Sequence, residues 1–93
     1  MATRAVTVGT TVGQMVADNP KRTAVSIMNF GSDTIFWSND RGNVTSQGFP
    51  LLAGLSVDFS AELGDDPTLE VNGQSLVGNT DIRVYEAFGE GGR

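Results

Sequence analysis

Apolar and polar positions alternate along this chain in short stretches, each closed by glycine, proline, asparagine or aspartate. In 22–29, Val25 and Ile27 face one way while Ala24, Ser26 and Met28 face the other, the two-residue period of a strand. In 55–60, Leu55, Val57 and Phe59 alternate with Ser56, Asp58 and Ser60. The same reading predicts strands over 4–8, 14–17, 34–38 (Ile35 and Trp37 on one face), 68–71 (Leu69 and Val71) and 80–87 (Ile82 and Val84), with a minimal one at Val44-Thr45. Residues 13–17 leave a weak helical alternative open, against which Gly13 and Val16 count. Asn19-Pro20, Asn29 to Asp33 and Asn72-Gly73 read as turns. The strands at 22–29 and 34–38 read as a hairpin about a five-residue loop. Val25, Ile27, Ile35, Trp37, Leu55, Val57, Phe59, Leu69, Val71, Ile82 and Val84 are the predicted core.

Composition agrees. Valine and threonine number 10 and 9, while there is a single lysine, and 12 glycines and 3 prolines punctuate the chain. β-Branched side chains fit a pleated surface. The expectation is an all-β chain: a small antiparallel β-sandwich, jelly-roll-like or Ig-like, of 7–8 short strands, one domain over 1–88 with a flexible glycine-rich tail at 89–93. With 93 residues its core is thin. A net charge of −5 argues against nucleic acid and against an anionic membrane surface as partners. No apolar run approaches the length of a membrane-spanning helix, and the first residues lack the hydrophobic stretch of a signal peptide.

The order of features has a likeness. Arg22-Thr-Ala-Val-Ser-Ile-Met-Asn29 is followed by Gly31, by Asp33-Thr-Ile-Phe-Trp37, by Asn43-Val-Thr45, by Gly48-Phe-Pro-Leu-Leu-Ala-Gly54, by the strand from Leu55 to Phe59, and by Asp81-Ile-Arg-Val-Tyr-Glu86. Over about three-quarters of the chain this resembles the small β-sandwich structural proteins of tailed bacteriophages and related viruses, which decorate capsids or form the bases of spikes and fibres. The resemblance implies a structural protein of the virion, assembled in the host cytoplasm, whose partner is the major capsid protein or another virion protein. Each piece also has a local explanation: Asn29 and Gly31 suit a turn, Gly48 and Gly54 bound a tight loop, and Arg83 and Glu86 can pair across strand ends.

Candidate chemistry is sparse. The chain has neither His nor Cys, which removes the commonest general base, the commonest metal ligand, thiolate chemistry and disulfides. Its Ser and Thr hydroxyls have no recognisable activating base. The carboxylates Asp40, Asp58, Asp65, Asp66, Asp81 and Glu86 read as solvated turn and surface groups, with a Ca²⁺ ion in the Asp65-Asp66 turn as the minor alternative. No enzyme activity, catalytic residue, metal or cofactor is expected. Asn43-Val44-Thr45 fits a glycosylation sequon and reads better as a chance match. Phe36 and Tyr85, at outward strand positions, are the candidates for a sugar-stacking platform, the alternative function being a carbohydrate-binding, host-receptor-binding module.

The apolar loop Phe49-Pro50-Leu51-Leu52 is the most informative segment, and Leu76-Val77 is its smaller counterpart. Either these cap an open end of the sandwich or they form a protein interface. The leading expectation is a capsid decoration, cement or vertex spike component. It acts through protein–protein contacts at Phe49, Pro50, Leu51, Leu52, Leu76 and Val77, as a homo-oligomer, trimer or pentamer. A decoration protein predicts apolar loops at one pole and acidic residues at the other; a sugar module predicts Phe36 and Tyr85 side by side. A cytoplasmic adaptor of unspecified partner is the third reading.

Overall fold

The computed structural model describes residues 2–40, 42, 44, 48–61, 64 and 66–88. Eight strands run in chain order: β1 (Ala2–Val8), β2 (Gly13–Val16), β3 (Arg22–Asn29), β4 (Ile35–Ser38), β5 (Phe49–Leu51), β6 (Ser56–Ser60), β7 (Val71–Ser75) and β8 (Thr80–Phe88). They form two four-stranded antiparallel sheets, ordered β1-β8-β3-β6 and β2-β7-β4-β5. This is the jelly-roll order, one of the two sandwiches expected. Successive strands cross from sheet to sheet, and β4–β5 alone is a sequential pair.

The core lies between the sheets. Val8, Met15, Val16, Val25, Ile27, Ile35, Leu51, Val71, Ile82 and Val84 are buried there, with Val6, Trp37, Val57 and Phe59 packed against them. Each such aliphatic side chain contributes roughly 1.5–3 kcal/mol. Alternation along β3, β4 and β8 therefore placed its residues correctly. It failed where strands end. Leu55 lies just before β6 and is 55% exposed, and Leu69 sits in the turn before β7 and is 44% exposed.

Several local expectations are corrected. β3 and β4 are not a hairpin, because residues 30–34 arch from one sheet to the other. Asn72-Gly73 is not a turn but the middle of β7, where a side chain on Gly73 would collide with Met15. The segment expected to be an apolar loop contains β5. Residues 68–70 form a turn and an extended link rather than the start of a strand. Val44 is buried with helical backbone and accepts a 3.0 Å bond from the Gly48 N–H, so no strand begins there. Asn43 and Thr45 of the sequon, Asp65 and the tail 89–93 lie outside the described residues.

One end of the sandwich is closed by charge. Arg22, fully buried, donates to the carbonyls of Ala17 (2.8 Å), Pro67 (2.6 Å) and Leu69 (2.9 Å) and to Glu86 Oε1 (2.9 Å). Arg4 on β1 binds the other Glu86 oxygen. Burial works against the Glu86 charge, but hydrogen bonds from Arg4 and Arg22 and their positive charges outweigh it and hold the carboxyl below the usual glutamate range. The expected Arg83–Glu86 pair does not form: they sit three apart on β8, so Glu86 faces inward while Arg83 faces out, its guanidinium 4.2 Å from the Phe30 ring centroid.

Candidate docking site

Strict up-down alternation brings every second connection to the same end. The β1–β2 (9–12), β3–β4 (30–34), β5–β6 (52–55) and β7–β8 (76–79) loops gather at the end opposite Arg22. Backbone bonds tie them together: Ser75 N–H to Gly9 O (2.8 Å), Phe30 N–H to Asp81 O (3.0 Å), Gly54 N–H to Asn29 O (2.8 Å) and Asn29 N–H to Leu55 O (2.9 Å). The buried Asn29 side chain fastens the frame. Its Nδ2 donates to the carbonyls of Asp33 and Leu51, both at 2.8 Å, and its Oδ1 accepts from the Gly31 N–H at 3.1 Å. Gly31 packs so closely on Thr80 that a Cβ would clash. Gly54, at φ +84°, makes the turn in which the Leu55 N–H bonds Leu52 O at 3.0 Å.

This rigid frame displays apolar side chains to solvent. Val12, Phe30, Leu52, Leu55, Leu76 and Val77 all belong to the four loops, and their exposures run from 39% to 76%. Together these six side chains expose roughly 500 Å² at one end of the sandwich, with the Arg83 guanidinium over the Phe30 ring, and apolar area of that order at a surface commonly marks a binding site. The four loops contain one ionisable side chain, Asp33. The opposite end differs: among the described residues Asp18, Lys21, Asp40, Asp66 and Glu70 lie on its loops. The Thr68 hydroxyl and then its N–H, both hydrogen-bonded to Asp66, hold that carboxyl below its ordinary range. The molecule therefore has an apolar pole and a charged, mainly acidic one.

Of the six residues expected at an interface, Leu52, Leu76 and Val77 reach the apolar pole. Phe49 is exposed but starts β5 at the other end, with its ring 5.3 Å from that of Trp37. Pro50 is exposed mid-strand beside Phe36. Leu51 is a correction: it pairs with Ile35, points inward and is 4% exposed, so it is core and not interface. Val12, Phe30 and Leu55 were not anticipated at the pole. Their apolar character was visible, but only the topology joins loops so far apart in sequence.

The two aromatic candidates are not brought together. Trp37 meets Phe59 of the other sheet at 5.2 Å, so it faces inward and its neighbour Phe36 faces out from the β2-β7-β4-β5 sheet. Tyr85 faces out from β8, on the other sheet. No single surface holds both. Among the described residues, no three His, Cys, Asp or Glu side chains assemble as a metal-holding group.

No family model matches the chain, and no curated protein matches it either. Solved structures do match its fold. A de novo designed double-stranded β-helix aligns with 94% of this chain and 100% of its own, at TM-score 0.61 and 16% identity. The Cupin_2 domain of an XRE family transcriptional regulator from Enterobacter cloacae aligns over 92% of this chain and 79% of its own, at TM-score 0.63 and 4% identity. The dTDP-4-dehydrorhamnose 3,5-epimerase of Bacillus anthracis, solved with TDP and PPi bound, aligns over 95% of this chain and 53% of its own, at TM-score 0.62 and 13% identity. At these identities the likeness establishes architecture. It also corrects the expectation that enzyme activity is absent: the same framework serves an enzyme in the epimerase, so neither this fold nor the missing His and Cys decides against catalysis.

Proposed function

We propose that this protein is a structural component of a virus particle, a capsid decoration or vertex spike component, that docks onto another virion protein through the four-loop pole. The observation that carries the reading is the segregation of Val12, Phe30, Leu52, Leu55, Leu76 and Val77 to one end and of Asp18, Asp40, Asp66 and Glu70 to the other. Apolar area at a rigid end provides the driving force for contact. The acidic end keeps the free protein soluble. The order of motifs from Arg22 to Glu86 supports the virion setting, since it resembles that of small phage and viral sandwich proteins.

The test is to purify virus particles from cells that carry the gene, measure this chain in them by quantitative mass spectrometry and locate it by electron cryomicroscopy. Stoichiometric incorporation with residues 52–55 and 76–79 against the particle is the expected result. Absence from purified particles overturns the virion setting, and particles in which no apolar pole touches another protein overturn the docking surface.

A further inference from the structure

The two sheets have four edge strands, β1, β6, β2 and β5. An edge strand invites pairing with another chain unless something blunts it. Three of these four are blunted. β2 has four residues and a register shift between Gln14 and Val16. β5 has three residues, with Pro50 in the middle. β6 carries the charged Asp58 at its centre. β1 differs from all of them. It runs seven residues in unbroken register with β8, without proline, glycine or bulge. Its outward side chains, Thr3, Ala5 and Thr7, are small, exposed and uncharged. Its one charge, Arg4, is engaged with Glu86.

We infer that β1 pairs with β1 of a second copy, antiparallel about a two-fold axis at Ala5, joining the two β1-β8-β3-β6 sheets into one of eight strands. In this register Ala5 faces the partner's Ala5, Thr3 faces the partner's Thr7, and Arg4 faces the partner's Val6. No like charges stand directly opposite, and threonine pairs are favourable across antiparallel strands. The half-buried Val6 gains cover from the stem of the partner's Arg4. Charge also selects the antiparallel sense. Each copy carries −5, with its acidic loops at one end. The two-fold sets the acidic end of one copy beside the apolar end of the other, whereas parallel neighbours would abut two acidic ends. The dimer then presents an apolar pole in each direction, the shape of a connector between two protein surfaces. This two-fold contact differs from the trimer or pentamer expected on sequence grounds, and it stands independently of the virion reading.

The chain has no cysteine, so one introduced thiol reports only contacts between copies. Purified Ala5→Cys under mild oxidation should convert mostly to a disulfide-linked dimer. Thr3→Cys alone should cross-link at least tenfold more slowly, while an equal mixture of Thr3→Cys and Thr7→Cys, in which half of the dimers have facing thiols, should cross-link about half as fast as Ala5→Cys. Light scattering should give twice the 9.8 kDa chain mass for the unmodified protein and the monomer mass for Thr3→Lys/Thr7→Lys, with circular dichroism showing that the variant remains folded. A monomeric parent at 0.1 mM overturns the pairing. So does a multimer unaffected by the two lysines, or cross-linking of Ala5→Cys no faster than that of Thr3→Cys.

Discussion

The side-chain amide of Asn29 donates a 2.8 Å hydrogen bond to the carbonyl of Leu51, fastening the end of β3 in one sheet to the end of β5 in the other. The same amide reaches Asp33 O, and the side-chain oxygen takes the Gly31 N–H. Asn29→Ala would strand the buried Leu51 carbonyl and the half-buried Asp33 carbonyl and Gly31 N–H. The expected cost is about 2–4 kcal/mol, since each unsatisfied buried group costs about 1–3. Urea denaturation measures it, and a loss under 0.5 kcal/mol would mean that the backbone alone holds the loop frame.

Adjacent leucines should behave oppositely. Leu51 is buried and Leu52 is exposed. Leu51→Asp places an unpaired charge in the core, costing several kcal/mol or more against a total stability of about 5–15. Circular dichroism at 25 °C should find it largely unfolded, while Leu52→Asp melts within a few degrees of the parent. Equal behaviour of the two would contradict the β5 register.

The apolar pole can be tested without a partner. Leu76→Asp/Val77→Asp alters two exposed side chains, so stability should change by only about 0.5 kcal/mol per site. Retention on a hydrophobic-interaction column should fall clearly. Unchanged retention would show that this surface is not what the column sees.

Acid sensitivity should centre on Glu86. Its carboxyl titrates below the ordinary value of 4.5, so folding favours the ionised form. The stability it contributes is fully present above that value and is lost as pH falls through the lower, folded-state value. Melting temperature of the parent should therefore drop below about pH 4.5. Glu86→Gln should melt lower at pH 7 and show a flatter acid limb. An acid limb of unchanged steepness in Glu86→Gln would assign the sensitivity to other carboxylates.

The long strands were legible because alternation over five or more residues in β3, β6 and β8 leaves one reading of the faces. β5 was not, because a three-residue strand holding a proline carries turn chemistry and hardly any period. Leu55 and Leu69 matched the right period but lie beyond the strand ends, where the facing sheet gives no cover. Arg22 and Glu86 were invisible as buried groups, since charged residues ordinarily stay at the surface and only the carbonyls of Ala17, Pro67 and Leu69 make this site acceptable. Half of the docking pole was readable from Leu52, Leu76 and Val77. The rest needed the strand order, which no local pattern encodes.

The place of β8 between β1 and β3 has a consequence for synthesis. The strand that holds the first sheet together follows every other strand in sequence. A nascent chain that has emerged only as far as β7 has no strand to bridge β1 and β3, and sequential pairing offers it only the short β4–β5 contact. Assembly of the β1-β8-β3-β6 sheet therefore waits for β8, whereas the β2-β7-β4-β5 sheet and the β3–β6 pair need no strand beyond β7. Until β8 arrives, β1 and β3 lack the strand that joins them, and their inward valine and isoleucine side chains are apolar surface open to neighbouring chains.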